Sequence, residues 1–121
     1  MREGKGLMAS GKLRFSRRII SHLEGSQAWA DAWAMRHGGS RTQSSDIELM
    51  WRLFDAPRRK DGSRVIEVTG DDLDYLESSI GAMEAGAADN LGYTDDGNDA
   101  LADHNAARAM LRAMTKVRAI S

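Results

Sequence analysis

The residues with the strongest claim to chemistry lie near the start of the chain, where Gly6-Leu7-Met8-Ala9-Ser10-Gly11-Lys12 follows the first seven positions of a phosphate-binding P-loop. In such a loop successive backbone N–H groups cradle phosphate and the lysine neutralises it. The eighth position departs from the pattern. Leu13 stands where a Ser or Thr would hold Mg²⁺, no apolar strand precedes Gly6, and no hydrophobic strand ending in Asp follows. Nucleotide hydrolysis is therefore not expected.

The three histidines, His22, His37 and His104, do not reach the i, i+4 spacing that lets two imidazoles share a metal, and the chain has no Cys. His104 falls on the apolar stripe of the last predicted helix, where a hydrogen-bonded core histidine is the ordinary explanation. His37 stands at a helix C-terminus, where it can oppose the dipole. Asp89, Asp95, Asp96, Asp99 and Asp103 invite a calcium reading, because hard cations want several carboxylates around a glycine-containing turn. They do not fall in an EF-hand frame around Gly92 or Gly97, and acids at a helix start are accounted for by the positive end of its dipole. No spacing supports a Ser-His-Asp, Cys-His or paired-carboxylate arrangement, so no catalytic, cofactor-binding or metal-binding residue is assigned.

The elements that would position any site are mainly helical. Nine residues are Val or Ile against 34 that are Leu, Met or Ala, a balance that favours helix because β-branched side chains lose χ1 freedom there. With 121 residues, one core is expected, and 17 alanines among the apolar residues imply closely packed helices rather than a deep interior. Residues 1–12 read as a flexible basic arm and 13–121 as a single helical domain. Phe15, Ile19, Leu23, Ala30 and Trp33 predict a helix over 13–37, broken or kinked at Gly25-Ser26 and ended by Gly38-Gly39. Ser45-Asp46-Ile47-Glu48 has the form of a capping box opening a second helix, with Ile47, Met50, Trp51 and Phe54 on one stripe, Leu49 and Leu53 widening it, and Pro57 stopping it. Asp61-Gly62 supports a type I′ turn in a short hairpin near 58–68. A third helix is expected from a cap at Thr69 or Asp71, burying Leu73, Leu76, Ile80 and Met83. A fourth begins near Asn98 or Asp99 with Leu101, His104, Ala107, Leu111, Met114 and Val117 on one face, antiparallel to the third. The expected fold is a small bundle of about four helices with one short β-hairpin.

A formal net charge of −1 conceals segregation. Residues 1–18 carry six Lys/Arg against Glu3, residues 65–103 carry eleven Asp/Glu and no Lys/Arg, and residues 104–121 carry four Lys/Arg and no acid. Dipole preference at the ends of the last two helices explains much of this, and in an antiparallel pair the two signs would face each other. The functional readings are more specific. Trp29 and Trp33, one helical turn apart, are candidate partner contacts, with packing against Trp51 and Phe54 as the competing explanation. Asp71, Asp72, Asp95, Asp96 and Asp99 are the acidic candidates for the same role. Lys12, Arg14, Arg17 and Arg18, together with the i, i+4 stripe of Arg108, Arg112 and Lys116, form an alternative nucleic-acid contact.

These observations favour a non-catalytic module that occupies the surface of another protein or complex. Small phage or mobile-element inhibitors of host complexes, anti-CRISPR proteins among them, have this general character. The alternative is a nucleic-acid-binding accessory protein, and a homodimer is compatible with either. A chain without Cys, without an apolar leader in its first 30 residues and without a long apolar run is expected to be cytoplasmic, with no membrane partner.

Overall fold

The computed structural model describes residues 11–39, 45–91 and 97–120. Two strands and five helices follow in the order β1 (Gly11–Phe15), α1 (Arg17–Glu24), α2 (Gln27–Arg36), α3 (Ser45–Asp55), β2 (Arg64–Val68), α4 (Gly70–Asn90) and α5 (Gly97–Ile120). The chain is thus a mainly α-helical small domain with a short antiparallel β pair, as its composition and periodicity imply.

The first segment divides differently from the sequence reading. Gly11–Phe15 is a strand, not the end of an arm or the start of a helix, because its side chains alternate: Leu13 and Phe15 are buried while Lys12 and Arg14 face outward. It pairs antiparallel with β2 in the register Gly11↔Val68 through Phe15↔Arg64. Arg59 N–H donates to Ser63 O and Gly62 N–H to Arg59 O, both at 2.9 Å, which closes a tight turn ahead of β2. Gly62 has φ +83° and Asp61 does not share the left-handed conformation, so this is a type I turn closed by a left-handed glycine rather than type I′. The turn is local, but the partner strand of β2 is residues 11–15, separated from it in sequence by α1, α2 and α3. Residues 1–10 of the expected basic arm lie outside the described residues.

The predicted interruption at Gly25-Ser26 separates two helices. The Ser26 hydroxyl donates to Leu23 O at 2.6 Å and accepts from Trp29 N–H at 3.2 Å, serving the last turn of α1 and the first of α2 at once. This break resets the helical phase. Ile19, Ile20 and Leu23 are buried on α1, whereas on α2 only Ala32 is, so Ala30 and Trp33 do not continue the earlier stripe. Gly38 and Gly39 end α2 as a Schellman motif: Gly38 has φ +83°, its N–H donates to Met35 O, and Gly39 N–H donates to Ala34 O.

Ile47, Leu49, Met50 and Leu53 of α3 are buried, while Trp51 and Phe54 are half-buried towards α2. Trp51 Nε1–H donates to Ala32 O at 3.0 Å, tying the two helices together. Thr69 caps α4 in a complete box: Asp72 N–H donates to Thr69 Oγ1 at 3.2 Å and Thr69 N–H donates to Asp72 Oδ2 at 2.8 Å. Leu73, Leu76, Ile80 and Met83 are all buried, as their spacing predicts.

Helices α4 and α5 lie antiparallel, with Arg118 near the end of α5 bonded to Asp74 near the start of α4 at 2.7 Å. On α5 the buried residues are Ala100, Ala107, Met110, Met114 and Val117, and Leu101 is 48% exposed. The expected stripe is therefore rotated at its N-terminal end. Small residues of α4, Ala82, Gly86 and Ala87, line a pocket with Ala100 in this region, and Leu101 lies outside that lining. His104 is half-buried and accepts or donates no hydrogen bond among the described residues, so it is not the bonded core histidine its position suggests. The main core joins Phe15 of β1, Ile19 and Leu23 of α1, Leu53 of α3, Val68 of β2, Leu76 of α4 and Met114 of α5.

Candidate functional site

The sequence singles out Trp29 and Trp33 together, and the structure separates them. Trp29 is half-buried with its ring edge-on to Phe54 at a centroid distance of 4.6 Å and an interplanar angle of 75°. Trp33 is 57% exposed. It lies against the His37 ring at 4.3 Å and meets Phe54 edge-on at 6.1 Å. His37 Nδ1–H donates to Trp33 O at 2.7 Å, so the imidazole that supports the indole is itself tied to the helix terminus, the position expected of His37. Arg36 completes the patch: its guanidinium is 5.5 Å from the Trp51 ring centre and 5.7 Å from that of Phe54. The same group makes two bonds to Asp55, at 2.7 and 2.9 Å, which hold the Asp55 carboxyl below its ordinary pKa and the Arg36 guanidinium above its own. An exposed indole is thereby presented on a braced aromatic base.

Among the described residues the acidic candidates do not form one surface. Asp71 is exposed in the first turn of α4, and Asp99 is exposed 3.7 Å from Arg18. Asp72 is only 4% exposed, and its Oδ2 accepts from both Thr69 N–H and Arg52 Nη2. Its carboxylate is consumed in capping α4 and tying that helix to α3, so it is not available to a partner. Asp95 and Asp96 lie outside the described residues.

The basic candidates also divide. Arg14 bonds Asp61 at 2.6 Å, Arg18 bonds Asp103 at 2.8 Å, and Arg108 lies 3.7 Å from Glu84. Lys12, Arg17, Arg112 and Lys116 make no ion pair among the described residues. Arg108, Arg112 and Lys116 are all exposed, so the stripe on α5 exists, though one end of it is turned towards an acid of α4. Lys12 lies in a strand and not at the start of a helix, which removes the arrangement a P-loop lysine requires.

Arg17 takes part in a feature that the sequence reading missed. A half-open groove of about 670 Å³ lies between α1 and the turn before β2, and its charged lining comprises Arg17, Glu24, Arg58, Lys60, Asp61 and Arg64. Asp61 is already engaged: its Oδ1 accepts from Ser63 N–H at 2.9 Å and Ser63 Oγ–H at 2.6 Å, while its Oδ2 accepts from Arg14. These bonds, those from Ser63 first, hold the Asp61 carboxyl well below the usual carboxylate range. Arg64 Nη1–H donates to Leu53 O, which anchors its guanidinium at the floor between β2 and α3. The sequence carries part of this groove as four cations within residues 58–64, but Arg17 lies far from them along the chain and no local periodicity joins them.

Among the described residues no three or more His, Asp or Glu side chains gather as a metal ion would require, and no helix is long and apolar enough to cross a membrane. No family model, no curated protein and no solved structure matches the chain.

Proposed function

We propose that the chain is a non-catalytic protein-interaction module whose contact face is the outer side of α2, with Trp33 as its anchor. The observation that carries this reading is the 57% exposure of an indole that is nevertheless held in place by His37 and Phe54. An aromatic side chain fixed before binding loses little conformational entropy on contact and offers a large apolar area, which is why Trp is favoured as an interface anchor. The partner is another protein or protein complex in the cytoplasm. In its narrower form the proposal is a small phage or mobile-element inhibitor, of the anti-CRISPR kind, that acts by covering a surface of a host complex.

The test is affinity capture of tagged protein from host lysate after nuclease treatment, with wild type, Trp33→Ala and Trp29→Ala run in parallel alongside their thermal melts. The expected result is a defined protein complex retained by wild type and lost by Trp33→Ala at unchanged melting temperature. Capture that survives Trp33→Ala, or that disappears with nuclease in the wild type, overturns the reading.

A further inference from the structure

We propose that the groove between α1 and the turn at residues 59–63 is a binding site for a phosphate-rich anion, one carrying two or more phosphate groups close together. Its lining brings four cations, Arg17, Arg58, Lys60 and Arg64, together with two acids, Glu24 and Asp61. Because Asp61 spends its oxygens on Ser63 and Arg14, Glu24 is the one acid left facing the four. None of the four cations has an ion-pair partner among the described residues. Five other arginines, Arg14, Arg18, Arg36, Arg52 and Arg118, are each bonded to a carboxylate, while Lys12, Arg112 and Lys116, which also make no ion pair among the described residues, do not line the groove. Four like charges gathered in a concave site against a single free counter-charge repel one another, and a polyanion relieves that repulsion while the walls concentrate the field.

The groove is also constructed rather than accidental. Gly62 is in the left-handed conformation, and a Cβ there would stand 3.2 Å from Arg17 Cδ, so the turn packs directly against the stem of Arg17. Arg64 is clamped from below by Leu53 O, with its Nε buried and unbonded. The stem of Arg17 is thus held against the turn and the guanidinium of Arg64 against the α3 backbone, while Arg58 and Lys60 are exposed. Guanidinium groups match phosphate through parallel N–H bonds, and lysine adds a point charge. The lining includes no aromatic side chain on which a base could stack, so the phosphates themselves are what the site recognises.

Phosphate of this kind comes from a free oligophosphate or from a nucleic-acid backbone. Calorimetric titration at low salt with tripolyphosphate, and separately with a single-stranded oligonucleotide lacking terminal phosphates, distinguishes them. Two charge-matched double variants are compared with wild type: Arg58→Gln/Lys60→Gln in the groove and Arg112→Gln/Lys116→Gln on α5. The expected result is saturable one-to-one binding of at least one probe, weakened at least tenfold by the groove variant and less than twofold by the α5 variant. Tripolyphosphate binding alone assigns a free oligophosphate, and oligonucleotide binding that tripolyphosphate displaces assigns a nucleic-acid backbone. Absence of saturable binding by either probe, or equal losses in the two variants, overturns the proposal. Trp33→Ala is expected to bind both probes as wild type does, so this result stands or falls apart from the protein-interaction reading.

Discussion

The α4–α5 pair and the groove beside α1 treat charge in opposite ways. In the helix pair the sequence segregation is partly cancelled by folding: Arg118 reaches Asp74 and Glu77, and Arg108 lies near Glu84, while Arg112 and Lys116 point to solvent. In the groove, cations from distant parts of the chain are brought together and left without partners. Long runs of one sign in a helical sequence therefore say little about function, because antiparallel packing places acidic helix starts beside basic helix ends. Charge that folding concentrates and does not neutralise is the more informative signal.

The largest effect is expected at Asp72, the carboxylate that both caps α4 and pairs with Arg52. Asp72→Ala removes the cap and leaves a half-buried guanidinium without its partner, an expected loss of about 2–4 kcal/mol in urea denaturation once the partial exposure of Arg52 is allowed for. A loss below about 1 kcal/mol would show that this pair does not join α3 to α4 energetically.

Next in size is the contrast between the two tryptophans. Trp29→Ala removes a half-buried ring from against Phe54 and should cost about 2 kcal/mol, whereas Trp33→Ala should cost less than about 0.5 kcal/mol. Equal losses would place Trp33 among the packing residues and remove the exposed anchor.

The charge contrast itself is read from Arg118→Gln against Arg58→Gln. The first should lower stability by roughly 0.2–1 kcal/mol, with the loss fading as salt is added. The second should leave stability unchanged or slightly raised at low salt, because it relieves repulsion in the groove. Identical signs for the two substitutions would mean that the groove cations are compensated after all.

The smallest effect concerns pH. Asp61 has a folded-state pKa held below its unfolded value, so its contribution is present above the ordinary carboxylate range and is lost as pH falls towards the folded value. The stability difference between wild type and Asp61→Asn should therefore be constant from pH 7 down to about 5 and shrink between about pH 4 and pH 2. A difference independent of pH throughout that range would show that the Ser63 and Arg14 bonds do not select the ionised form.

What could be read from the sequence was local. The helix break at Gly25-Ser26, the left-handed ending at Gly38, the cap at Thr69 and the buried stripe Leu73, Leu76, Ile80 and Met83 each depend on residues within a few positions of one another, and all are present. Backbone conformation and single-helix periodicity are set by near neighbours, so those features are written in short windows. What needed the tertiary structure were the pairings over distance. Gly11–Phe15 becomes a strand because Arg64–Val68 is available to it, Ala100 rather than Leu101 is the residue α5 turns towards α4, and Trp29 and Trp33 part because Phe54 of α3 covers one more than the other. The groove belongs to the same class, since Arg17 and residues 58–64 share no periodicity and meet only when β2 joins β1. Electrostatic and packing energies depend on separation in space, and separation in space is what one-dimensional spacing does not encode beyond a single element.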